Sequence, residues 1–318
     1  HDEQIEVVSA CVSHVNGRVP VIAGAGANCT DEALNLAKRS EKAGADGLLV
    51  VTPYYNKATQ KGLEEYYTTV GNSVDIPIIM YNVPGRTGTN IQPATAVKIA
   101  KSVDNIVAIK EASGDIGQVA TLAALADGCL DIYSGNDDQV VPLLALGGKG
   151  VISVLSNVAP RETHDMVMKF LEGDVKGSLD IQLKYMDVIH NLFSEVNPIP
   201  AKRAVAEMGY CKNIVRRPLT EMEEDHAQVL IQSMKEAGIL YEAESTEGRA
   251  AALNNGQVAS VVNAPWFISS IKQAEDQSGL WRAVRIPRFA NISSSVNASN
   301  VGGSSWYVLE GSANKDEA

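Results

Sequence analysis

Between residue 1 and about residue 155 the chain alternates two textures without a break, and that alternation limits its fold more than anything else. Stretches with apolar residues three and four apart read as helices with one face against a core. Between them lie short β-branched runs at residues 19–23, 47–51, 77–81, 106–110, 131–134 and 150–154. Strands that alternate with helices are joined by crossovers, and crossovers make parallel sheets. Each run also ends in small or polar residues. Gly24-Ala25-Gly26-Ala27-Asn28 follows the first, Thr52-Pro53-Tyr54-Tyr55-Asn56 the second and Ser134-Gly135-Asn136-Asp137-Asp138 the fifth.

Chemistry at the carboxyl ends of successive parallel strands is the habit of the (β/α)8 TIM barrel. The rival is an open doubly wound sheet, which carries a phosphate fingerprint after its first strand. Gly24-Ala25-Gly26 gives G-x-G without the third glycine and reads as a tight turn. Gly147-Gly148-Lys149-Gly150 lacks the Walker spacing and reads as a helix-to-strand turn. The expected fold is therefore α/β, with about six barrel strands present over residues 1–158. A helical region follows over 159–240, broken at Gly173, at Asn197-Pro198-Ile199-Pro200 and at Pro218. The chain opens directly in a helix-like stretch, residues 1 to about 14, which suggests a start that is not natural.

After residue 240 the texture changes. Trp266, Trp281 and Trp306 are the only tryptophans in the chain, serine, asparagine and glycine rise, and the alternation stops. Residues 241–318 read as a second unit, a small mixed α/β tail with its seam near 241–248.

Composition excludes several classes. A net charge of −11 argues against nucleic acid as a main partner. No apolar run is long enough to span a membrane. Cys11, Cys29, Cys129 and Cys211 stand far apart without metal spacing, and the five histidines form no H-x-x-H pair. Free thiols point to a reducing, cytoplasmic setting.

One lysine carries the functional reading. Lys110 closes the apolar run Ile106-Val107-Ala108-Ile109. A buried ammonium is costly, so its pKa is expected to fall and free the amine as a nucleophile. The alternative is a strand-end lysine that snorkels to water. Another apolar run, Pro77-Ile78-Ile79-Met80, leads into Tyr81-Asn82-Val83-Pro84-Gly85-Arg86-Thr87-Gly88. A phenol, a guanidinium and an amine at strand ends suit carbonyl chemistry on an anionic substrate. Glu111 is expected to point opposite to Lys110, toward the helices.

Residues 1–240 resemble the dihydrodipicolinate synthase (4-hydroxy-tetrahydrodipicolinate synthase) family. The resemblance rests on 21–28, 51–56, the Tyr81 to Gly88 segment, Ile109-Lys110-Glu111-Ala112-Ser113-Gly114, Ser134-Gly135-Asn136-Asp137 and 150–154. It implies a lyase of lysine and diaminopimelate biosynthesis that condenses pyruvate with L-aspartate semialdehyde, without metal or organic cofactor. By the same resemblance Lys110 forms the Schiff base, Tyr81 relays protons, and Arg86 holds the semialdehyde carboxylate. Tyr55 reaches a neighbouring subunit's site, which implies a homo-oligomer (dimer or tetramer), and Gly135 and Ile152 line the pyruvate pocket. His1, Asn28, Glu32 and Tyr54 match the family's feedback site for lysine, while Gln4 stands where some members carry a second histidine. Other pyruvate aldolases, of the N-acetylneuraminate lyase or 2-keto-3-deoxygluconate aldolase type, share the tyrosine and the lysine. The arginine in Y-N-V-P-x-R-T-G marks the synthase branch.

Two departures accompany the resemblance. The family's G-T-T-G-E segment, whose threonines bind the pyruvate carboxylate, has no counterpart here; Thr68-Thr69 is expected inside a helix. Residues of about 249–318 instead resemble part of an extracellular sugar-binding protein of an ABC importer, chiefly through Gly302-Gly303-Ser304-Ser305-Trp306-Tyr307-Val308-Leu309. On that likeness Trp266 and Trp306 are candidates for stacking on a sugar, or else core aromatics. A cytoplasmic synthase and a secreted binding protein in one chain imply two incomplete reading frames joined near 241–248, a chimeric fragment.

Overall fold

The computed structural model describes residues 2–240. The chain divides into two units, His1–Ile239 and Leu240–Ala318, and the architecture below is that of the first. His1 and the tail expectations, Trp266 and Trp306 included, lie outside the described residues.

Six parallel strands form one sheet in the order β1 to β6. They are β1 (Ile22–Gly24), β2 (Gly47–Val51), β3 (Ile78–Asn82), β4 (Ile106–Glu111), β5 (Asp131–Ser134) and β6 (Gly150–Val151). Sequential neighbours with a helix between them are the (β/α) repeat, here a six-stranded half-barrel. The intervening helices are α1 (Asp2–Val15) and α2 (Thr30–Lys42) around β1, then α3 (Gln60–Gly71), α4 (Pro84–Thr87), α5 (Pro93–Ser102), α6 (Ile116–Ala126) and α7 (Val140–Ala145). Local chemistry sets several starts. Thr59 and Asp115 cap α3 and α6 by accepting the Gly62 and Gln118 N–H groups. Proline opens α4 and α5, where its missing N–H costs nothing.

The core lies between sheet and helices. Leu48, Val50, Ile78, Met80, Ile106 and Ile109 face outward from the strands against Leu36, Leu63, Tyr67 and Ile99. Tyr67 is fully buried and donates its hydroxyl to the Val50 carbonyl at 2.9 Å. Ile79 and Ala108 are buried on the opposite, inner face and stand outside that cluster.

Two expected strands are shorter than their apolar runs. β1 starts at Ile22 because Pro20 has no N–H to give and the Val21 N–H is taken by the Asp46 carboxylate at 2.7 Å. β6 stops at Val151; the Ile152 N–H still reaches the Ser134 carbonyl at 2.8 Å, and the backbone then turns at a 3₁₀ segment, Leu155–Asn157. Gly147, at φ +90°, turns α7 into β6. Thr68 and Thr69 lie in α3.

The expected helical region is α8 (Pro160–Leu171), α9 (Val175–Lys184), α10 (Met186–Asn191), α11 (Ile199–Glu207) and α12 (Glu224–Ala237). Gly173 separates α8 from α9 at φ +95°. Ile199 and Pro200 open α11 instead of breaking it, since proline suits a first helical turn. No helix among the described residues is long and apolar enough to cross a membrane.

Candidate active site

A one-residue irregularity decides which way Lys110 points. Ile78 pairs with Ile106, yet Ile79 pairs with Ala108, so β4 carries Val107 as an extra residue. Side chains alternate along a strand, and a slip of one residue exchanges the faces. Ile106 belongs to the helix-facing core. By plain alternation Lys110, four residues on, would face the helices too. The bulge instead puts Ala108 and Lys110 on the inner face opposite Ile79 and Tyr81. Asn82 and Glu111, the next pair in register, face the helices and are buried. The Glu111 carboxylate there meets Gln118 of α6, as the alternation with Lys110 requires.

Lys110 and Tyr81 thus stand side by side at the carboxyl ends of β3 and β4. The Lys110 ammonium sits 4.3 Å from the centre of the Tyr81 ring. Burial lowers the Lys110 pKa to about 8, with the Asp137 carboxylate opposing the shift and the Arg86 charge adding to it. Burial also raises the Tyr81 phenol above its ordinary value, against the pull of Arg86. The pair therefore offers a readily freed amine beside a phenol that keeps its proton.

The end of β5 closes on the lysine stem. A Cβ at Gly135 would lie 2.9 Å from Lys110 Cε and 2.6 Å from Ala112 Cβ, so only glycine fits. Ile152 is half-buried and hangs from the last residue of β5 by its N–H bond to Ser134. Asp137 is buried, and its Oδ2 accepts the N–H groups of Val154 and Leu155 at 2.9 and 3.0 Å. Its Oδ1 is buried without a partner. Asp137 is a site residue that sequence reasoning quoted without giving it a role. Only its place one turn beyond a strand end could have marked it.

Arg86 lies on α4, exposed, and donates to the Asn197 carbonyl at 3.2 Å. It borders a cleft of about 660 Å³ with Gly85 and residues 193–197. Lys110, Tyr81, Gly135, Ile152 and Arg86 are therefore gathered at one end of the sheet. Tyr55 leaves from the same end, on the loop after β2 at φ +73°, but stands 90 % exposed to solvent. Tyr54 is partly exposed on the same loop, Asn28 lies on the loop after β1, and Glu32 is exposed on the first turn of α2. The two loops are tied by Asn56 Nδ2 donating to the Asn28 carbonyl at 2.9 Å, and Gln4 donates to the Gly24 carbonyl at 3.1 Å. Among the described residues no three His, Cys, Asp or Glu side chains gather as a metal site.

A half-barrel with its polar cluster at the strand carboxyl ends places the chain among (β/α) barrel enzymes. Comparison with known proteins narrows the class: the model of the dihydrodipicolinate synthetase family matches residues 1–237. A 4-hydroxy-tetrahydrodipicolinate synthase of Lachnoclostridium phytofermentans is 58% identical over 240 residues, covering 76% of this chain and 82% of that protein. The crystal structure of dihydrodipicolinate synthase from Thermotoga maritima aligns with TM-score 0.74 at 43% identity, over 76% of this chain and 82% of that one. The chloride-inhibited enzyme of Acinetobacter baumannii complexed with pyruvate aligns with the same TM-score at 40% identity, over 75% and 82%. The chain belongs to the dihydrodipicolinate synthetase family.

Proposed function

We propose that this chain carries out the reaction its relatives are named for, with Lys110 as the nucleophile. The observation that carries the reading is a half-buried amine with a pKa of about 8, held against a phenol at the ends of β3 and β4. The neutral Lys110 amine adds to the C2 carbonyl of pyruvate, and the carbinolamine loses water to give an imine. Loss of a C3 proton gives the enamine, whose C3 carbon attacks the aldehyde carbon of L-aspartate semialdehyde. The substrate's own amine then attacks the imine carbon, closes the ring and frees Lys110. Tyr81 moves the protons, since its raised pKa keeps the phenol protonated and ready to donate. Gly135 leaves room for the lysine stem, and Ile152 supplies apolar wall beside it.

Borohydride trapping with pyruvate, read by peptide mass spectrometry on the full chain, tests the assignment. An adduct on Lys110 is expected. No adduct, with an intact synthase labelling in parallel, would refute it.

Arg86 separates the synthase from other pyruvate aldolases. Its exposed guanidinium borders the open cleft, where a planar fork suits a carboxylate. Arg86→Ala is expected to raise KM for the semialdehyde by roughly 10–100-fold, as loss of a charge-assisted bond does, while pyruvate trapping persists. Unchanged semialdehyde kinetics would favour another aldolase.

Tyr55 has a place in this scheme only within an assembly, because within the chain its ring stands 90 % exposed to solvent. Sedimentation at micromolar concentration is expected to give a dimer or tetramer. A monomer at that concentration would leave Tyr55 without a catalytic part.

A further inference from the structure

We propose that Glu111, on the reverse side of the sheet from Lys110, is a positioning residue that sets the spacing of the lysine, the tyrosine and the arginine. The proposal rests on Lys110 being the imine-forming residue. Glu111 is buried at 3 % exposure and Asn82 at 0 %, on the helix-facing side of the sheet. Asn82 Nδ2 donates to both Glu111 oxygens, at 3.2 and 3.0 Å, and to Asn90 Oδ1 at 2.8 Å. The Ser113 N–H donates to Glu111 Oε1 at 2.8 Å. Gln118 of α6 closes the cluster: its Nε2 reaches Asn90 Oδ1 at 3.1 Å and Glu111 Oε2 at 3.5 Å, while its Oε1 accepts from Asn90 at 2.8 Å. None of these atoms is left unpaired.

A buried carboxylate and a buried amide, completed by the half-buried Asn90 and Gln118, cost desolvation that hydrophobic residues would avoid, so their arrangement calls for a return other than stability. Their position supplies one. Each strand residue in the cluster is the immediate neighbour of a site residue: Asn82 follows Tyr81, and Glu111 follows Lys110. The cluster also holds both ends of the segment that presents Arg86. Asn82 Oδ1 accepts the Ile91 N–H at 2.9 Å, and Asn90 is bonded from its own side chain. One carboxylate thus ties the bases of all three groups. Because it only accepts, every donor that meets it is pointed in a fixed direction.

Glu111→Gln keeps the shape and replaces one acceptor oxygen by an amide nitrogen, which then faces the donors of Asn82 and Gln118. The full chain is incubated with saturating pyruvate, quenched with borohydride at timed intervals, and the Lys110 adduct counted per folded molecule by circular dichroism. The rate is expected to fall at least about tenfold, as sub-ångström to ångström misplacement of reacting groups does. Asn82→Asp combined with Glu111→Gln reverses the polarity of the pair and is expected to restore most of the rate, since the Asn90 and Gln118 amides can turn to match. A purely structural Glu111 would lower the melting temperature and leave the rate per folded molecule unchanged, and that result overturns the proposal. So does a double variant no faster than the single one. Absence of the adduct on the unmutated chain would instead overturn the reading of Lys110, and the positioning role with it.

Discussion

Lys110→Arg is expected to abolish the pyruvate adduct and to cut synthase turnover on the order of 10⁴-fold or more, the scale on which removal of a covalent nucleophile acts. The substitution keeps the positive charge on a long side chain, so any effect of charge on the pocket survives. What it removes is a group that can shed its proton: a guanidinium stays charged at any usable pH. The same chemistry makes the unmutated chain respond to pH in a stated direction. Burial disfavours the ammonium, so Lys110 gives up its proton near pH 8 instead of near 10.5. Imine formation needs the neutral amine and therefore rises with pH through a midpoint near 8. At pH 8 about half of such amines are neutral, against about one in three hundred for an ordinary lysine. Timed borohydride quenching from pH 6 to 10 reads the midpoint. A curve still rising at pH 10 would mean a solvated amine, the snorkelling lysine that sequence alone leaves open. An adduct of undiminished yield in Lys110→Arg would move the imine to another residue.

The fold was legible wherever local pattern and pairing agree. The runs at 47–51 and 131–134 are the strands β2 and β5 to the residue. Parallel strands under helices are apolar on both faces, and such runs are hard to mistake. Pattern fails where a distant group competes. Residues 19–23 look like a strand, but Asp46, which lies far along the chain, takes the Val21 N–H. The orientation of Lys110 was legible only relative to its neighbour. Glu111 must oppose it, whatever the register. Which of the two faces inward depends on the bulge at Val107, and that arises from pairing with β3 and leaves no mark in the residues 106–110 themselves. Asp137 and the Asn82 cluster were opaque for the same reason. An acidic residue after a strand reads as a helix start, and nothing in its surroundings says that its carboxylate turns to the Val154 and Leu155 amides, seventeen and eighteen residues on. Motifs name the residues at a site, while the contacts that hold them are long-range and need the structure.

Gly135→Ala puts the smallest possible probe against the lysine. The new Cβ would lie 2.6 Å from Ala112 Cβ, 2.9 Å from Lys110 Cε and 3.2 Å from Lys110 Cγ. Gly135 cannot retreat freely, because its N–H is bonded to the Glu111 carbonyl at 2.7 Å. Ala112 is no more able to yield: its methyl has no rotamer to change, and its N–H is bonded to the Asn82 carbonyl at 2.9 Å. The flexible lysine stem must therefore take much of the displacement, and its amine leaves the face of Tyr81. The pyruvate trapping rate is expected to fall about 100-fold, the cost of roughly an ångström at a reacting group. Overpacking at the site is expected to destabilise the fold by only about 1–3 kcal/mol, seen as a lower melting temperature with the helical circular dichroism intact. Ala112→Gly added to Gly135→Ala separates the two contacts. It removes the methyl 2.6 Å away and leaves the lysine stem at 2.9 Å. If melting recovers and trapping does not, the stem is the contact that matters and Gly135 shapes the lysine's position. If trapping recovers with melting, the loss was backbone strain transmitted through Ala112, and the lysine finds its place once that strain is gone.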